Sequence, residues 1–103
     1  MKPAEVFPPG AHLREEMKAR GMSVVELAEI IGTTHGRVSA LRTGRKNITP
    51  FIALQLEAVF GISAETWMAL RVNWELHLQR KQFDPVVLGE IKQRKKAWDF
   101  WDE

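Results

Sequence analysis

The sequence predicts an all-α chain, and three observations predict it. Ser23, Thr34, Thr49 and Ser63 each stand just before a helical pattern of apolar residues, where a hydroxyl can accept from the orphan N–H groups of a first turn. Gly21, Gly32, Gly44 and Gly61 stand where those patterns stop. Proline follows a capping residue at Thr49-Pro50 and again at Asp84-Pro85, the usual placement of proline in a first turn. At 103 residues the chain has the length of one domain. It is short enough that pairing with a second copy would help its stability.

Residues 1 to 9 carry three prolines and no periodicity, and read as an extended arm. A first helix opens at Gly10 or Ala11 and runs to about Arg20, with Leu13 and Met17 turned inward and His12 mostly outside. The next two helices occupy 23–45. Ser23 caps one, Leu27, Ala28 and Ile31 recur on its inner face, and Gly32 ends it; Met22 stands where a staple residue would pack. Thr34 caps the other, which buries Val38 and Leu41 and stops at Gly44. Ala28 presents only a methyl group where the second of these helices must cross the first. Two short helices crossing near a right angle at close range form a helix-turn-helix.

A fourth helix starts at Thr49-Pro50. Phe51, Leu54, Leu56, Val59 and Phe60 make it apolar around much of its girth, which predicts a central, buried helix. Ser63 caps a fifth, from about Ala64 to Gln79. Its stripe Trp67, Leu70, Trp74 and Leu78 is too long for so small a core to cover, so part of it is expected to be a dimer seam. Asp84-Pro85 opens a last helix to about residue 99. Val87, Leu88, Ile91, Trp98 and Trp101 make its apolar side, and Lys92, Arg94, Lys95 and Lys96 its other faces. That side is expected to dock on the end of the fifth helix, in the same chain or a second copy, or to wait for a partner protein. The resulting division is an arm (1–9), a helix-turn-helix domain (10–81) and a helical tail (82–103).

From about residue 7 to 80 the sequence resembles the HigA/VapI-type antitoxins, whose helix-turn-helix is of the XRE, lambda-repressor-like class. The resemblance is carried by Pro9-Gly10-Ala11-His12-Leu13-Arg14-Glu15-Glu16, by the 23–45 stretch, and by Ile48-Thr49, Ala53, Leu54, Phe60-Gly61-Ile62-Ser63 and Trp67. It implies a lambda-repressor-like five-helix DNA-binding domain, here with an additional C-terminal helix. It also implies a homodimer that binds its own operator and neutralises a small, RelE-like, ribosome-dependent mRNA interferase toxin. Gly36 departs from the pattern where a polar side chain is common, and Thr33 where an aliphatic one is usual.

The charge pattern points the same way. The net charge is only +2, yet no acidic residue lies between Glu29 and Glu57, while Arg37, Arg42, Arg45 and Lys46 do. Such a local excess is the footprint expected for a polyanion. On the second helix of the motif, Val38 and Leu41 fix the buried direction, which leaves Gly36, Ser39, Ala40 and Thr43 opposite and His35 and Arg37 on the flanks. A helix lined by small residues can settle deep in a major groove while the flanking side chains reach base edges. His35, Arg37, Ser39 and Ala40 are the expected base readers, with Arg37 suited to a bidentate contact with guanine. Ser23 and Thr34, at the helix starts, are placed to present N–H groups to phosphates. The resemblance puts Thr43, Arg45, Lys46 and Asn47 at phosphate contacts as well.

Other functions fare poorly. His12, His35 and His77 fall on three different helices with no ligand spacing between them, and there is no glycine-rich phosphate loop, so neither a metal, a cofactor nor an enzyme activity is expected. There is no cysteine, no apolar run of membrane-spanning length and no signal-peptide pattern at the start, which predicts a cytoplasmic protein without a membrane partner. Two alternatives stay open beside the antitoxin: a stand-alone XRE-type transcription regulator, and an interaction module built on the tryptophan-bearing helices.

Overall fold

The computed structural model describes residues 6–101, and the side chains of 6–99. Residues 1–5 of the expected arm and the docking expected of Trp101 lie outside this description. The order is α1 (Pro9–Ala19), α2 (Val24–Ile31), α3 (His35–Thr43), α4 (Pro50–Phe60), α5 (Ala64–Gln82) and α6 (Pro85–Trp101), with no strand among the described residues.

The caps form where the hydroxyls stand. Ser23 accepts from the N–H of Glu26, Thr34 from Arg37, Thr49 from Ile52 and Ser63 from Thr66. Glu26 adds what its spacing from Ser23 could have announced: its carboxylate accepts from the Ser23 N–H and closes a capping box. Gly32 and Gly44, at φ of 72° and 80°, end α2 and α3 in the left-handed region. The core gathers Leu13 and Met17 of α1, Leu27 and Ala28 of α2, and Val38 and Leu41 of α3. Ile48, then Ala53, Leu56 and Phe60 of α4, and Ala64 and Trp67 of α5 complete it.

The structure corrects one expectation and narrows two others. Helix α4 is not wrapped on all sides. Ala53, Leu56 and Phe60 face α5 and the core, but nothing covers the far side, and Phe51 and Leu54 stand out into solvent. On α5, the stripe assigned to a dimer seam is the side turned toward the chain's own core. Trp67 has 0% of its surface exposed, Leu70 packs against the core, and Trp74 is half-buried and stacked on His77, so only Leu78 is left open. The surplus apolar surface of α5 lies elsewhere, at Val72 and Leu76. Helix α6 forms as expected, with the Asp84 carboxylate accepting from the Val86 N–H at 2.8 Å, but it does not dock on the end of α5 in the same chain. Its described side chains are all exposed, no other helix builds a packed interface on it, and the molecule is 58 Å long against 29 and 26 Å across.

Candidate nucleic-acid interface

Helix α3 is held by its own buried side chains and by two contacts from α1 on its last turn. Its Val38 and Leu41 enter the core between α1 and α2. Gly10 at the start of α1 comes so close to its last turn that a Cβ there would stand 2.5 Å from the carbonyl oxygen of Arg42 and 2.7 Å from that of Leu41. Only a residue without a side chain allows that approach. Four residues on, the Arg14 guanidinium donates to the same Arg42 carbonyl, adding a cation at the helix C-terminus. The Pro-Gly-x-x-x-Arg opening of the chain is therefore the seat of α3.

The loop after α3 is anchored as firmly. Lys46 donates its N–H to the Ala40 carbonyl at 3.1 Å, closing the end of the helix. Two residues later Ile48 is buried, and its carbonyl accepts from Arg71 of α5 at 3.0 Å. Glu75 holds Arg71 in turn, at 2.8 Å. Arg45, Lys46 and Asn47 are thus displayed on a short span fixed at both ends. Arg71, Gly10 and Arg14 are positioning residues that spacing alone did not single out.

The expected base readers come together at the front of α3, with differing exposure. His35, Gly36 and Arg37 are exposed in its first turn, while Ser39 and Ala40 are half-buried, so the first turn leads any approach. A Cβ at Gly36 would meet nothing nearer than the Thr34 hydroxyl at 4.0 Å. Among the phosphate candidates, Thr43 turns its hydroxyl back onto its own helix, donating to the Ser39 carbonyl, and accepts from the Arg45 guanidinium at 3.3 Å. Its hydroxyl is thus engaged with its own helix and with Arg45. The hydroxyls of Ser23 and Thr34 each accept a cap bond and keep their own hydrogen to donate. At Ser23, however, the Glu26 carboxylate takes up an N–H and adds negative charge, which works against a phosphate there.

Arg42 leaves the basic cluster. It is half-buried on the α1 side of α3, in a groove of about 650 Å³ shared with Met17, Met22 and Val24. Arg37, Arg45 and Lys46 remain exposed, and among the described residues none has a carboxylate partner within 4 Å. The surface so formed is a short helix with a small, open front turn that carries Arg37, followed past its last turn by the exposed Arg45 and Lys46.

The helix-turn-helix family model matches residues 13–67, more than half of the chain and the whole of α2, α3 and α4. The chain belongs to the XRE-type helix-turn-helix family. Within that family it is 31% identical over 91 residues to the uncharacterized HTH-type transcriptional regulator YddM of Escherichia coli K12, covering 88% of this chain and 97% of the relative. It is 30% identical over 83 residues to virulence-associated protein I of Dichelobacter nodosus, covering 78% and 77%. Among solved structures it is similar to an addiction module antidote protein of the HigA family from Coxiella burnetii, with a TM-score of 0.71 and 30% identity over 77% of this chain and 87% of that one. Among the described residues no helix is long and apolar enough to cross a membrane.

Proposed function

We propose that the protein is the antitoxin of a type II toxin–antitoxin module, a cytoplasmic protein that binds its own operator as a dimer and neutralises a RelE-like mRNA interferase. The observation that carries the DNA half is the first turn of α3. His35, Gly36 and Arg37 stand open there, and past the other end of the helix an anchored loop carries Arg45 and Lys46, which have no ion-pair partner among the described residues. Arg37 reads guanine, Ser39 and Ala40 fill the groove floor, and Arg45, Lys46 and Asn47 take phosphates. Two copies set their α3 helices ~34 Å apart, one turn of DNA, on a palindromic operator. The antitoxin half is supported by the likeness to the HigA-family antidote protein and by the match to virulence-associated protein I.

Co-expression with the neighbouring open reading frame tests this reading. Capture of a small basic protein, together with retardation of the shared promoter fragment, is the expected result. Promoter binding with no captured partner would instead make the chain a stand-alone regulator. The likeness to an HTH-type transcriptional regulator is the observation that favours this second reading.

A further inference from the structure

Between α1 and the start of α2 lies the groove of about 650 Å³ that Arg42 enters from α3. Its volume falls in the range of small-molecule sites, which combine an apolar lining with a few convergent polar groups. Met17, Met22 and Val24 supply the apolar lining. Methionine suits such a place, because its unbranched thioether adapts to irregular shapes. Arg14, Lys18 and Arg42 line the groove together with one carboxylate, Glu15. Three cations against one carboxylate leave a positive excess, and among the described residues none of the four forms an ion pair within 4 Å. Arg14 at least donates to the Arg42 carbonyl, whereas the Nε of Arg42 is buried without an acceptor. A buried N–H left in that state is uncommon and costly.

We propose that this groove binds a small amphipathic carboxylate, its apolar body on Met17, Met22 and Val24 and its charged end between Arg42 and Lys18. A carboxylate brings both things that Arg42 lacks, a counter-charge and an acceptor, and a guanidinium can grip it through two parallel N–H groups. The apolar lining is what selects against a bare inorganic anion, which would bury no apolar surface on two thioethers and a valine. A DNA phosphate fits less well for a further reason. Of the residues expected to meet DNA, Ser23 alone lines the groove, while His35, Arg37, Arg45 and Lys46 lie outside it. The site goes beyond the antitoxin reading and needs neither a toxin nor a second copy.

Titration of the full chain with decanoate, kept below its micellar concentration and followed by NMR of labelled methionine methyl groups, tests it. The Met17 and Met22 signals should shift, while that of Met68, on α5, stays in place. Decanol and decylamine keep the apolar chain without the negative charge, and should bind about tenfold more weakly or worse. Arg42→Met retains an unbranched side chain and should weaken decanoate about tenfold. Lys18→Glu changes an exposed position, so the fold should be unaffected, and it should weaken decanoate while strengthening decylamine. If Arg42→Met fails to fold, Lys18→Glu decides alone. Equal binding of decanol and decanoate, or unchanged decanoate affinity in Lys18→Glu, would overturn the site. Shifts at Met68 with none at Met17 and Met22 would overturn it too, by placing the probe elsewhere on the chain. Weaker duplex binding in Lys18→Glu, with no decanoate bound by either chain, would give the groove to a DNA phosphate instead.

Discussion

Gly10 and Arg42 meet at a distance that leaves no room for a methyl group, and this contact seats the recognition helix. Gly10→Ala must push α1 away from the last turn of α3 or distort one of them. Overpacking of this kind costs about 1–3 kcal/mol, and the melting temperature should fall accordingly. Because the displaced element is α3, operator affinity should fall by more than the loss of stability explains, measured at a temperature where the variant is fully folded. Unaltered melting and binding would mean that the two helices are not so tightly seated.

Gly36 provides the opposite case. It lies in the first turn of α3 with open space around it, so nothing inside the chain requires glycine there. Gly36→Ala should stabilise the fold by up to ~1 kcal/mol through helix propensity. If the front turn enters the groove closely, the same methyl group should weaken operator binding. A variant that melts higher yet binds worse is the expected outcome. One that melts higher and binds as well would show that the front turn does not approach the bases.

Arg37 and Lys46 separate reading from holding. Arg37→Ala should cost ~1–3 kcal/mol on the operator and relax preference at one base pair of each half-site. Lys46→Ala should weaken specific and nonspecific binding alike and flatten the salt dependence by about one unit per half-site. Titrations at three salt concentrations distinguish them. A parallel loss of affinity on all sequences for Arg37→Ala would put it on the backbone rather than on a base.

The contrast between helices α2 to α4 and helix α5 shows what could be read from sequence. Ser23, Thr34 and Thr49 act through their own neighbours three residues on, so their caps are legible in a short window. Val38 and Leu41 are legible because α3 has one apolar face, and Leu27 because Ala28 and Ile31 continue its spacing, although α2 also leaves Val25 and Ile30 exposed. Helix α5 has two. Trp67–Leu70–Trp74 and Val72–Leu76 both keep helical spacing, and periodicity cannot say which faces the core. Size favoured the tryptophans as the surplus, whereas the chain buries Trp67 and leaves the aliphatic stripe open. Phe51 and Leu54 misled for a related reason: an all-round apolar helix need not have neighbours all round. The seat at Gly10 was out of reach because a close backbone approach between residues 10 and 42 leaves no mark on composition or period.

Arg71 gives a prediction about precision rather than about contact. It touches no expected DNA group, yet its guanidinium holds the Ile48 carbonyl at 3.0 Å and thereby the loop that displays Arg45 and Lys46. Arg71→Ala should leave base preference intact while reducing affinity for all sequences, because a looser loop pays entropy to align its cations with phosphates. Arg71→Lys should recover part of this, since one ammonium can still reach a carbonyl but not also hold Glu75 in the same geometry. A change of base preference in Arg71→Ala would show that the loop sets the pose of α3 itself.

Truncation after Gln82 gives the last prediction, and it tests whether α6 contributes to the fold of the rest of the chain. Every described side chain removed is exposed, so the fold of residues 6–82 loses no packing. At high dilution, where both forms are monomeric, the two should melt within a few degrees of each other, as expected when only surface residues change by about ±0.5 kcal/mol. A single half-site should still be bound by the truncated chain, since the base readers on α3 are untouched. A large drop in melting temperature at high dilution would contradict this account and place α6 against its own core.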